Sequence, residues 1–302
     1  MGAFKTEIWD LLEKKKDISK NSVADYMNIC EIILNNMWLL NDRIYKEIGV
    51  DAPLDPYKRF ILVFYWRNLL YLLSAYLLAI RNLCSASRDI QRTVLETIVR
   101  GYLYIVNDCI AEKMYIYTFY NISDKIDTDF RIEKEINTLK SLLYREWINK
   151  EYVDIINRII KKELTEVDEG FLKNELKQYW YFDNNVDILY TKSRGKQWKK
   201  VYRDLSRMSH SSVIGIYDDI NYSKPQVENC LLMILCQAYG TLQMFIEGFY
   251  EEAKSKEIRS YIKDSMLLIV KFCRKFPSLE PNNTKLNKNI RFKKENFESL
   301  LS

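Results

Sequence analysis

A single histidine, His210, serves the whole 302-residue chain. The six cysteines (Cys30, Cys84, Cys109, Cys230, Cys236 and Cys273) are scattered, and none forms a C-x-x-C pair. One imidazole and no paired thiols leave a zinc centre without a ligand set, so no metal and no cofactor is expected. The cysteines are expected to be buried free thiols of a protein in a reducing, cytoplasmic compartment. Glycine (8) and proline (5) are also scarce, and no proline occurs between Pro56 and Pro225. A chain of β-hairpins needs frequent turn residues, so this scarcity argues for long helices. No P-loop, G-x-G-x-x-G or G-x-S-x-G motif is present, which leaves NTPase, Rossmann and α/β-hydrolase readings without support.

Long apolar runs are short as well. The most apolar, "LLYLLSAYLLAI" at Leu69–Ile80, holds twelve residues and is preceded by Arg67 and Asn68. A bilayer-spanning helix needs ~20. The run is expected to be a buried core helix, with no membrane partner.

What is present is 48% apolar residue content, enough for a sizeable core, arranged with helical periodicity. The segments expected to be helical are about 4–16, 22–48, 57–83, 88–120, a more charged stretch over 130–176 with breaks near Lys150 and Glu163, a helix ending near His210, then 224–253 and 256–276. Gly49, the loop "VDAPLDP" and the polar "CSASRD" read as breaks, and "QYWYFDNNVDILYTKSRGKQ" (Gln178–Gln197) as a region without clear period. The expected architecture is all-α: N-terminal helices over 1–56, one multi-helix bundle over 57–276 and a polar tail over 277–302.

Charge is concentrated. From Asp187 to His210 there are seven basic residues (Lys192, Arg194, Lys196, Lys199, Lys200, Arg203 and Arg207) against two acidic ones, a net +5 that equals the net charge of the entire chain. Such a patch suits an anionic partner, with RNA the one expected. On a helix, Arg203, Ser206, Arg207 and His210 share one face over ~11 Å of axis, with Val201, Leu205 and Met208 opposite. Two guanidiniums, a hydroxyl and an imidazole can cleave RNA without a metal. A neutral imidazole takes the 2′-hydroxyl proton, the alkoxide attacks phosphorus, and a guanidinium fork holds the phosphate oxygens. Equally, "SHSS" is turn-like, and His210 can simply terminate the helix. Trp198 and Tyr202 beside Lys196, Lys199 and Lys200, with "QYWYF" (Gln178–Phe182), read equally as a platform offering stacking and phosphate contacts to a single strand and as a packed aromatic loop. Arg92 and Glu96, one turn apart, either fix the bundle as an ion pair or orient Arg203 or His210. "YDDINY" (Tyr217–Tyr222) pairs two carboxylates that are expected to be solvated rather than to bind Mg²⁺.

"RDLSRMSH" resembles the signature of the HEPN superfamily: an arginine (Arg203), a polar residue (Asp204) and a histidine (His210), with six residues between the arginine and the histidine. A second likeness, to a group of uncharacterised HEPN-like helical proteins, covers roughly Leu69 to Phe249. It rests on an R-x-x-x-E helix (Arg92, Glu96) and a Y-x-x-L-S-x-x-x-H helix (Tyr202, Leu205, Ser206, His210). The resemblance implies an all-α bundle, frequently a homodimer with the arginine and histidine of both subunits near the interface. It implies metal-independent endoribonuclease activity, with Arg203 and His210 catalytic and Asp204, Ser206, Arg207, Arg92 and Glu96 in support. It also implies a setting in phage defence or toxin–antitoxin systems, with an antitoxin or defence protein as a possible partner. Other members of the family only bind RNA or proteins.

Overall fold

The computed structural model describes residues 23–48, 54–123, 130–163, 165–189, 194–209, 224–249 and 256–275. The expected helix at 4–16, the tail from 277, and His210, Asp218 and Asp219 lie outside them. The described residues form eleven helices and no strand. They are α1 (Val23–Ile48), α2 (Pro56–Ile80), α3 (Cys84–Val106), α4 (Asp108–Ser123), α5 (Phe130–Leu142), α6 (Lys150–Lys161), α7 (Glu166–Trp180), α8 (Phe182–Ile188), α9 (Arg194–Ser209), α10 (Lys224–Gly248) and α11 (Lys256–Lys275).

Local chemistry sets the ends. Pro56 opens α2 at its first position, where its missing N–H costs nothing. The helix closes with Asn82 in the left-handed conformation (φ 63°), while Leu83 N–H donates to the Leu78 carbonyl at 2.9 Å. The turn is therefore at 81–83. "CSASRD", read above as a break, is instead the opening of α3, and the Ser87 hydroxyl, fully buried, donates to the Ala75 carbonyl at 2.8 Å. The helix expected over 88–120 is two helices, because the Asn107 side chain accepts the Ile110 N–H at 3.2 Å and caps α4. Asn149 caps α6, and Thr165 with Asp168 forms a capping box on α7. The described parts of Gln178–Gln197, read above as without clear period, are helical: they hold the end of α7, all of α8 and the start of α9.

A central core is shared by α1, α2, α3, α10 and α11, from Tyr26 and Ile33 through Tyr65, Leu72 and Leu103 to Phe245 and Ile269. The antiparallel α2 and α3 and the α10 that runs along α3 meet closely. A Cβ on Gly240 would stand 3.3 Å from Ile98 Cδ1, so α10 presents bare backbone there. A ladder of buried amides runs through this seam: Gln91 Nε2 donates to the Cys230 carbonyl at 3.2 Å, Gln237 Nε2 to the Gln91 carbonyl at 2.7 Å, and Asn68 Nδ2 to Thr241 Oγ1 at 3.2 Å. These bonds use the amide N–H groups, leave the Asn68, Gln91 and Gln237 amide oxygens buried without a partner, and fix which turn of each helix faces which. The apolar stretch in α2 is longer than the twelve residues read from sequence. Both α2 and α10 are long and apolar enough to cross a membrane, but 50% and 67% of their most apolar windows are buried inside the bundle. Cys30, Cys84 and Cys230 are buried as expected; Cys109 is half-buried and Cys236 is exposed, because residue 236 falls on the outer side of α10.

Two smaller clusters flank the core. One joins α4 to α7 through Tyr115, Phe119, Leu142, Tyr152, Ile156 and Leu172. The other, which positions the candidate site, seats α8 and α9 on α3 through Leu95, Val99, Phe182, Val186 and Leu205.

Candidate functional site

The α9 helix lies antiparallel on α3, for Trp198 stacks on Tyr102 while Tyr202, one turn later, meets Arg92. Its inner stripe is Trp198, Val201, Tyr202 and Leu205, spaced i, i+3, i+4, i+7, and Leu205 is buried. Lys200, Arg203 and Asp204 are exposed on the side away from α3, and Ser206 is half-buried at the edge. Positions 196 and 207 continue the outward stripe along the backbone. The side chains of Lys196 and Arg207, like all of His210, lie outside the described residues.

Behind the exposed face Arg92 links Glu96 and Tyr202 in a polar cluster. Arg92 Nη2 donates to the Tyr202 hydroxyl oxygen at 2.8 Å, and Arg92 Nε donates to Glu96 Oε1 at 3.3 Å. Partial burial pushes the Tyr202 hydroxyl pKa up and the Glu96 charge adds to it, with Arg92 opposing. For Arg92, burial works against the charge, but the Tyr202 and Glu96 oxygens outweigh it and hold the guanidinium above its ordinary range. The partner of the Arg92–Glu96 pair is thus Tyr202; the pair is half-exposed, and it pins α9 to α3.

The aromatic residues singled out from sequence are engaged within the fold. The Trp198 ring stacks on Tyr102 with centroids 5.6 Å apart and planes 28° from parallel. Tyr202 stacks on Phe182 at 4.0 Å and 15°, and the Arg92 guanidinium carbon lies 4.9 Å from its ring centre. The segment "QYWYF" is not one platform either: Trp180 packs on Tyr117 at 5.7 Å, Phe182 on Tyr202, and Tyr181 is exposed. Helix α7 ends between Trp180 and Tyr181, so consecutive rings point to different neighbours.

Sequence reasoning missed α8. Its Asp187 takes Lys199 Nζ at 2.8 Å, with Asp183 at 4.0 Å, so one of the expected RNA-binding lysines is already answered by carboxylates. The signal was present in "FDNNVD", where Phe182 and Val186 are spaced i, i+4 and Asp183 and Asp187 repeat the same step. Lys200 and Arg203 make no ion pair among the described residues. No cluster of three or more His, Cys, Asp or Glu side chains that could hold a metal is present among the described residues.

Compared with protein-family models, curated proteins and solved structures, the chain finds no match. The functional reading therefore rests on its own residues.

Proposed function

We propose that the chain is a metal-independent endoribonuclease of HEPN type, working from the outer face of α9 in the cytoplasm as a defence or toxin effector. The observation that supports this reading is Arg203: it stands exposed on the face turned from the core, while the other half of the helix is spent on packing. An exposed guanidinium beside Lys200 can hold two phosphate oxygens and offset the charge that develops in transesterification. His210, seven residues on from Arg203, takes the 2′-hydroxyl proton, and the product ends are 2′,3′-cyclic phosphates. A homodimer would supply a second His210 as the acid.

A second reading, a non-catalytic HEPN-like module that binds RNA or a protein, is favoured by one feature. Arg92, Glu96 and Tyr202 of the second motif are occupied with one another, as scaffold residues are.

The test is cleavage of a labelled structured RNA in EDTA by wild type and by His210→Ala prepared side by side. Cleavage by wild type alone, leaving cyclic ends, is the expected result. Binding without cleavage by either would favour the module; equal cleavage by both would sink His210 as the base. In cells, expression of wild type should slow growth and His210→Ala should relieve it.

A further inference from the structure

We infer that the α9 face takes a nucleic-acid strand by its phosphates alone, blind to base and to sugar, so that any discrimination against DNA arises at the cleavage step and not in binding. The inference rests on the proposed function and deepens it by naming what that face recognises. Sequence-tolerant single-strand sites commonly combine cations with free aromatic faces on which bases stack. Here the aromatic half of that equipment is turned inward. Trp198 stacks on Tyr102, and Tyr202 is stacked on Phe182 and hydrogen-bonded to Arg92. What α9 offers to solvent is two cations, Lys200 and Arg203, with one carboxylate, Asp204, beside them, and no free ring. Ammonium and guanidinium groups contact phosphate oxygens, which carry no sequence information and are the same in RNA and DNA.

The charges on this face are not equivalent. Lys199 is held by Asp187 at 2.8 Å, and Asp187 with Asp183 forms an exposed acidic edge on α8. A phosphate approaching Lys199 displaces a carboxylate already there, so little net charge is gained. Lys200 and Arg203 are held in no such ion pair among the described residues, although Asp204 is exposed beside them. The chain should therefore count its phosphate contacts through Lys200 and Arg203 and not through Lys199.

The experiment is fluorescence anisotropy of the full chain with labelled oligo(U) and oligo(dU) of equal length, over a salt series in EDTA, with the RNA checked for integrity afterwards. The expected result is that the two Kd values agree within about threefold and that oligo(A) behaves alike. Lys200→Gln and Arg203→Gln should each flatten the log K against log salt slope by about 0.7, the value for one phosphate contact on a single strand. Lys199→Gln should leave the slope unchanged, and Asp183→Asn with Asp187→Asn should steepen it. A tenfold or greater preference for RNA over DNA, a comparable base preference, or a Lys199→Gln effect as large as that of Arg203→Gln would overturn the inference while leaving an RNA-binding protein. Failure to bind either oligonucleotide would overturn the RNA reading itself, and the inference with it.

Discussion

In the layer formed by α4 to α7, basic side chains meet acidic ones. Arg145 Nε reaches Glu112 at 2.8 Å, Lys113 reaches Glu175 at 3.1 Å, and Arg59 of α2 pairs with Glu135 of α5. Arg158 holds the buried Asp168 through Nε at 2.9 Å and through a second bond from Nη2. On α9, which rests on the same central core from another side, Lys200 and Arg203 are exposed and pair with nothing among the described residues. Both layers look charged and helical in sequence. The difference is whether the countercharge comes from within the fold. Where it does, the charges fasten helices to one another. Where cations outnumber carboxylates on a face turned to solvent and are left unpaired, they raise the local potential and attract an anion instead.

The comparison can be broken in several places. The largest effect is expected at the apolar seam under α9: Leu205→Ala should cost about 3 kcal/mol by urea unfolding, since the side chain is buried against α3 and α8. A loss under about 1 kcal/mol would mean that α9 is not seated as described. Next comes the paired layer. Asp168→Asn weakens the bidentate contact with Arg158 and half of the capping box with Thr165, and should cost about 1–2 kcal/mol. The same residue gives an acid signature. Burial opposes its charge, but hydrogen bonds from Arg158 and Thr165 outweigh that and lower its pKa. An acid whose folded pKa is lowered contributes stability that is complete above the unfolded value of about 3.9 and is lost as pH falls through the folded one. Wild type should therefore lose more stability than Asp168→Asn as the pH is taken below about 4, and parallel losses in the two proteins would remove Asp168 from the acid response. The smallest effect on stability is expected at the exposed face, where Arg203→Gln should change unfolding by less than about 0.5 kcal/mol.

Much of the bundle was legible in the sequence. The scarcity of glycine and proline pointed to helices, and the breaks near Lys150 and Glu163 fall where Asn149 and Thr165 cap the helices that follow. What failed was local. Asn107 sits inside an apolar run with no glycine or proline beside it, so only its side-chain bond to Ile110 N–H reveals the break. At the site, periodicity alone placed Leu205 inward and Arg203 outward. It could not say what would cover the inner stripe. That Tyr102 and Phe182 fill the roles of bases against Trp198 and Tyr202 is a matter of tertiary contact between residues far apart in the chain. The same holds for Tyr202, whose bond from Arg92 joins the Y-x-x-L-S-x-x-x-H helix to the R-x-x-x-E helix, a link that neither motif displays by itself.

The most direct test of the central claim compares one arginine from each layer. RNA affinity and urea stability should be measured for Arg203→Gln and Arg158→Gln under conditions in which both proteins remain folded. The expected result is a clean exchange: Arg203→Gln binds RNA several-fold more weakly at unchanged stability, and Arg158→Gln is less stable but binds RNA as wild type does. Equal loss of RNA affinity in both variants, or undiminished binding by Arg203→Gln, would contradict the assignment of the outer face of α9 as the surface that meets RNA.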